Sequence, residues 1–202
     1  MSTDRRTVLA DAAIQVLAEE GMRGLTHRAV DRAAELPPGT TSAYFRTRQA
    51  LLTALVRRLV ALDQAELQAA GERAPVMRDA GELTDGLAGF VERRLTGAGR
   101  QRSLARYACA VESVRHPELR EILVPRENAA RDAVRAFLCA RGVADAEGRT
   151  LTLLACVDGL VFDRLVGGGG GVPRGEISGL VAAALRDSGS GSDGADGRDA
   201  PG

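Results

Sequence analysis

From Leu25 to Phe45 the chain reads LTHRAVDRAAELPPGTTSAYF, and the adjacent prolines in this stretch restrict local geometry more than any other feature. Proline locks its own φ, lacks an N–H and pushes the preceding residue out of helical geometry. A helix entering from Thr26 must therefore stop near Glu35. Thr26 is placed to cap that helix, and Leu25 lies at the spacing that staples against Val30. Ala29, Ala33 and Ala34 keep one side thin for close packing, and a second short helix follows across Gly39 to Phe45. A short helix, a tight turn and another short helix is helix-turn-helix spacing.

The rest of the chain repeats apolar residues at three and four. Residues 4–20 carry Leu9, Ala13, Val16 and Leu17 on one face, and Gly21 ends the pattern as a C-terminal cap. Leu51, Leu52, Leu55, Val56, Leu59 and Leu62 define a long helix over 48–70. Further helices are predicted over 79–97, 101–115, 117–141, 147–166 and 174–186, with Pro117 at a first helical position and Pro125 dividing its segment. Aromatics are only 3%, Trp is absent, and Ala, Leu and Arg dominate, a mixture that favours helices over strands. The expected fold is all-α: a three-helix unit over 1–47, a helical regulatory and dimerisation domain over 48–187, and a disordered Gly/Ser/Asp tail over 188–202.

All 27 basic residues are Arg and none is Lys, which excludes Schiff-base, phosphate-loop and kinase-type lysine chemistry. The 27 acids balance them overall, but residues 1–60 hold nine Arg and six acids, so the front end carries the positive excess. Cys109, Cys139 and Cys156 are widely spaced among apolar neighbours and read as reduced core thiols, with no metal-ligand pattern around them. Gly167 to Gly171 follow no strand and precede no Lys, so they read as an inter-helix loop and not a phosphate cradle. A Cys109–His116 pair can be drawn, yet no catalytic motif surrounds it, and no catalytic, metal or cofactor residue is assigned. No run reaches membrane-spanning length and no membrane partner is expected, so the expected compartment is the cytoplasm.

A helix that reads duplex DNA must approach base edges in the major groove, so its exposed side chains are small or able to hydrogen bond. Gly39, Thr40, Thr41, Ser42 and Ala43 meet that demand. Thr26, His27 and Arg28 start the preceding helix, and Tyr44, Arg46 and Arg48 lead into the next; helix starts and arginines suit phosphate. A second reading makes Thr40 to Ser42 a polar turn, puts Tyr44 and Phe45 in the core and treats the arginines as a solvated face. The segment by itself admits both.

The wider order is a capped amphipathic helix, LTxRAV, a turn, GTTSAYF, Arg-x-Arg and a Leu-rich long helix. Over residues 4–60 it resembles the N-terminal domain of the TetR family, the tetracycline-repressor-like regulators. The resemblance implies that Gly39 to Tyr44 form a recognition helix with Thr40, Thr41 and Ser42 nearest the bases, and that Thr26, His27, Arg28, Tyr44, Arg46 and Arg48 hold phosphates. Substituting Arg48 is then expected to weaken binding to all sequences, and substituting Thr41 to change sequence preference. The chain departs from the family where Glu35 replaces a common Gly, where Pro37 and Pro38 replace a common Ser-Lys, and where Ser42 and Ala43 replace a common Tyr-His. Those changes imply a different operator and lower nonspecific affinity.

By the same resemblance the later helices enclose a small-molecule cavity, for which Phe90, Arg94, Arg106, Tyr107, Cys109, Glu112 and His116 are the candidate lining groups. The last two helices would pair across a twofold axis through Leu151, Leu154, Ala155, Asp158, Phe162, Ile177, Leu180, Val181 and Ala184; the same stripes could equally be intramolecular core. The implied protein is a homodimeric repressor of a palindromic operator in double-stranded DNA, released by a hydrophobic or amphipathic effector. The alternative is a helical small-molecule-binding or adaptor protein that has lost DNA binding.

Overall fold

The computed structural model describes residues 4–73, 77–123, 128–168 and 170–186, with side chains placed outside 70–73. Its elements are α1 (Arg5–Gly24), α2 (His27–Ala33), α3 (Thr40–Tyr44), α4 (Arg48–Arg73), α5 (Ala80–Leu95), α6 (Gly97–Ser113), α7 (Pro117–Leu123), α8 (Ala129–Cys139), α9 (Ala146–Val166) and α10 (Arg174–Leu185). The fold is all-α, and no strand occurs among the described residues. The 188–202 tail and Pro125 lie outside the described residues. Gly21 leaves helical geometry at φ 69°, so the regular part of α1 ends at the residue where the predicted first helix stops.

Two apolar cores organise the chain. The first gathers Leu9, Leu17, Leu25, Val30, Phe45, Leu51 and Leu55 of the front unit, and also Ala105 and Cys109 of α6 and Leu119 and Leu123 of α7. The second joins α5, α8, α9 and α10 through Leu83, Phe137, Leu153, Val157, Ile177 and Val181. The boundary expected at 47/48 therefore does not separate the cores: the first half of α4 is buried with the front unit, and α1 packs along α6.

A tight corner between α5 and α6 sets up the cavity. A Cβ on Gly99 would fall 1.7 Å from the Arg93 carbonyl oxygen, so only glycine lets the two helices turn this closely. The buried Ser103 hydroxyl donates to the Arg94 carbonyl at 3.0 Å and holds the corner. As a result four arginines, Arg93 and Arg94 from α5 and Arg102 and Arg106 from α6, meet one stretch of α4.

Candidate functional site

The turn between α2 and α3 is built around a buried carboxylate. Asp31 on α2 is 3% exposed; its Oδ2 accepts the Gly39 N–H at 2.7 Å, and its Oδ1 accepts the Thr41 N–H at 2.7 Å and the Thr41 hydroxyl at 2.5 Å. Two otherwise orphaned N–H groups at the start of α3 thus gain a charged acceptor. Burial pushes the Asp31 carboxyl up, but the hydrogen bonds from Thr41 and Gly39 and the nearby His27 outweigh it and hold the group below the ordinary carboxylate range. Gly39 enters α3 at φ 93°, a left-handed conformation that favours glycine. Glu35 in the same turn sits at φ 53°, in the left-handed region that side chains other than glycine seldom adopt.

Around this anchor, Thr26 caps α2 by accepting the Ala29 N–H at 3.2 Å. His27 Nε2 lies 2.7 Å from the Phe45 carbonyl oxygen and ties the start of α2 to the end of α3. Gly39, Ser42, Ala43 and Tyr44 are exposed, and Thr40 is half-buried with its hydroxyl donating to the Pro37 carbonyl at 2.6 Å. Arg28, Arg46 and Arg48 are exposed as well, and Arg48 Nη2 donates to the Met22 carbonyl, bracing the start of α4 against the end of α1. Thr47 caps α4 by accepting the Ala50 N–H at 3.0 Å. Arg6 stacks over the Tyr44 ring at 5.7 Å and the Phe45 ring at 5.5 Å. Among the front-end acids, Glu20 pairs with Arg32, Asp11 pairs with Arg58 and Asp31 is enclosed, while Glu35 in the turn is exposed.

A cavity of about 850 Å³ lies between the second half of α4, the corner of α5 and α6, and α8 and α9. Val60, Asp63, Gln64 and Leu67 line it from α4, Phe90 and Arg94 from α5, Arg106 and Tyr107 from α6, and Leu154, Asp158 and Val161 from α9. Asp63 receives Arg94 at 2.9 Å and Arg106 at 3.1 Å, and one turn on Glu66 receives Arg93 at 2.8 Å and Arg102 at 2.5 Å. Arg94 also stacks on Phe90 at 5.0 Å. The Tyr107 hydroxyl donates to Asp158 Oδ1 at 2.9 Å, and burial, reinforced by Asp158, pushes the phenol well above its ordinary range, so it remains an O–H donor. The volume and the apolar wall with a few convergent polar groups suit a small organic molecule.

Residues 9–55 match the family description "Bacterial regulatory proteins, tetR family", and residues 78–187 match "Tetracyclin repressor-like, C-terminal domain". The chain belongs to the TetR family. It is similar to the multidrug binding protein EbrR complexed with ethidium, at 26% identity, TM-score 0.65, covering 91% of this chain and 99% of that one. A TetR-family member from Streptomyces coelicolor A3 aligns at 25% identity and TM-score 0.68 over 91% of this chain and 99% of its own. A transcriptional regulator from Rhodococcus sp. Rha1 aligns at 27% identity and TM-score 0.64 over 90% and 92%. No curated relative matches. As a TetR-family member the chain is a DNA-binding transcriptional regulator and not an enzyme.

Several residue expectations need correction. Thr41 is fully buried with its hydroxyl and N–H both on Asp31, so it shapes the turn and cannot approach a base edge. Cys109 is fully buried in the first core, where burial pushes its thiol up to about 12, and it does not line the cavity. Glu112 and His116 also lie off the cavity; they face one another at 3.3 Å at the end of α6. Cys139 and Cys156 are exposed and are not core thiols. Ile177, Val181 and Ala184 are buried against α9 within the chain, which removes them from any partner surface. Leu154 and Asp158 turn towards the cavity, and Leu180 is half-buried. Asp31 organises the turn although nothing in its local sequence singles it out: its type is unremarkable on a helix, and its signal is only the offset to the backbone N–H groups beyond the prolines.

Proposed function

We propose that this TetR-family chain is a ligand-responsive repressor: a homodimer holds a palindromic operator through two copies of α3, and a small molecule in the cavity releases it. The observation that carries this reading is that α4 belongs to both places. Its first half, with Leu51, Leu52 and Leu55, is buried beneath the DNA-reading unit, and its second half, with Val60, Asp63 and Leu67, forms a cavity wall. A ligand that favours one placement of that helix biases the placement of α3 by the same free energy. Support comes also from EbrR, whose structures are complexes with ethidium, proflavin and malachite green.

In this reading Thr40 and Ser42 of the recognition helix Gly39 to Tyr44 lie nearest the bases, while Thr26, Arg28, Tyr44, Arg46 and Arg48 hold phosphates and His27, on the Phe45 carbonyl, positions α3. The domain limits are 1–47 for DNA reading and 48–187 for regulation and dimerisation, with α4 coupling them. The dimer forms on the exposed α9 stripe of Leu151, Ala155 and Phe162, extended by Val166, with the small exposed residues Gly175, Gly179 and Ala182 of α10 allowing close approach. It acts in the cytoplasm, where its DNA is.

Selection of a random duplex pool by the purified protein at two salt concentrations tests the proposal. A palindrome enriched at both is expected. Arg46→Ala then weakens binding to every sequence and lowers the salt slope by about two, one phosphate contact being lost in each protomer, whereas Ser42→Ala changes which bases are preferred. A pool that stays random at both salts would replace this reading with the ligand-binding adaptor.

A further inference from the structure

The cavity's buried charges discriminate between classes of effector. Arg94 is only 10% exposed in its side chain, lines the cavity, and has no hydrogen-bond acceptor for Nε or Nη1 among the described residues. Its ion pair with Asp63 is close, at 2.9 Å, but the groups are not aligned as a hydrogen bond, and Asp63 Oδ1 likewise lacks a donor among the described residues. Arg106 approaches the other Asp63 oxygen at 3.1 Å and gives Nη2 to the Leu123 carbonyl at 3.2 Å. Two guanidinium groups therefore share one carboxylate, an excess of one positive charge, with Arg94 and Asp63 each 10% exposed in their side chains and Arg106 31%. Guanidinium has donors and no acceptor and stays protonated, so its unfilled capacity suits an acceptor that carries negative charge.

Two further acids border the cavity, both towards solvent. Asp132 is half exposed and lies 3.8 Å from Arg135, and Asp158 is exposed and accepts the Tyr107 hydroxyl at 2.9 Å. Screening weakens their reach relative to the buried node. Phe90, Leu67 and Val161 complete an apolar wall beside Arg94.

We infer that the effector is an amphipathic organic anion whose charged group engages Arg94 and Arg106 in competition with Asp63. The inference rests on the ligand-responsive reading above and names its ligand class. Because Asp63 is carried by α4, an anion that takes over the arginines loosens the tie between that helix and the α5–α6 corner.

A matched probe set separates the possibilities. 8-Anilinonaphthalene-1-sulfonate and N-phenyl-1-naphthylamine share one aromatic body and differ by the sulfonate, and ethidium supplies a cation. Fluorescence titration of the full chain is expected to show one sulfonate bound per chain, at least about tenfold tighter than the neutral amine. Asp63→Asn removes the competing carboxylate and tightens the sulfonate further, and Arg94→Gln abolishes the preference. If Arg94→Gln fails to fold, as judged by its helical circular dichroism, the wild-type comparison and Asp63→Asn decide between them. Equal affinity for sulfonate and amine, ethidium binding tighter than either, or weaker sulfonate binding by Asp63→Asn overturns the anion class and leaves the cavity reading standing. Stoichiometric binding by none of the three overturns the cavity reading itself.

Discussion

Asp31 accepts three hydrogen bonds from Gly39 and Thr41, and it needs the charged carboxylate to accept all three. Asn at this position must turn an NH₂ towards one of those donors. Asp31→Asn is therefore expected to cost about 2 kcal/mol at neutral pH in denaturant unfolding, and to lower DNA affinity by loosening α3. The pH dependence follows from the direction of the shift. The folded carboxyl titrates below its unfolded value of 3.8, so its stabilisation is complete above 3.8 and is lost as pH falls through the lower folded value. Unfolding midpoints followed from about pH 5 down to about pH 2 should lose this contribution in the wild type and lack it throughout in Asp31→Asn; parallel profiles would refute the role. Glu35, exposed at φ 53°, is a separate opportunity in the same turn. Glu35→Gly relieves the left-handed strain, and a gain of about 1 kcal/mol in unfolding free energy is expected; a loss would mean that backbone entropy wins there.

At the scale of elements, α3 is five residues long and cannot be stable through its own hydrogen bonds. Thr41 and Phe45 inward, Asp31 beneath, and His27 on the Phe45 carbonyl hold it in place. α9 is the opposite case, long enough to present two faces. Leu153, Val157 and Val161 are buried within the chain, while Leu151 at 50% exposure and Phe162 at 47% stand on the outer side. Phe162 also meets Tyr107 edge-to-face at 5.2 Å, which fixes its ring. Phe162→Glu should convert a dimer to monomer in sedimentation at micromolar concentration and weaken operator binding with it, since each half-site then binds alone. An unchanged mass would move the interface elsewhere. The stripe read from the sequence, Leu151, Leu154, Ala155 and Phe162, leaves out Leu153, Val157 and Val161, the face that the chain buries, because a buried stripe and a dimer stripe have the same spacing.

Taken as a whole molecule, the DNA-reading unit is not self-contained. Ala105, Cys109, Leu119 and Leu123 are buried in the same core as Leu9, Leu17 and Leu55. A fragment ending at residue 60 would expose that face of α1 and α4 to water, so it is expected to melt without cooperativity in circular dichroism, while the full chain melts sharply. A cooperative transition in the fragment would show that α6 and α7 are dispensable to the front fold. In the proposed ligand-responsive reading the same shared core is the route between the cavity and DNA: α4 lies in the first core at one end and carries Asp63 and Glu66 against four arginines at the other.

What the residue order settled was whatever depends on neighbours along the chain. Pro37 and Pro38 place the turn, Gly21 ends the first helix, Thr26 caps the second, and the three-and-four spacing of Leu residues gives α4 and the all-α fold. Each of these follows from local sterics and hydrogen-bond geometry. The burial of Thr41 and Cys109, the selection of four cavity groups from seven candidates, and the facing of α9 depend instead on which helix packs where. A helix surface offers several apolar directions, and only the neighbours that arrive from distant segments determine which of them loses its water.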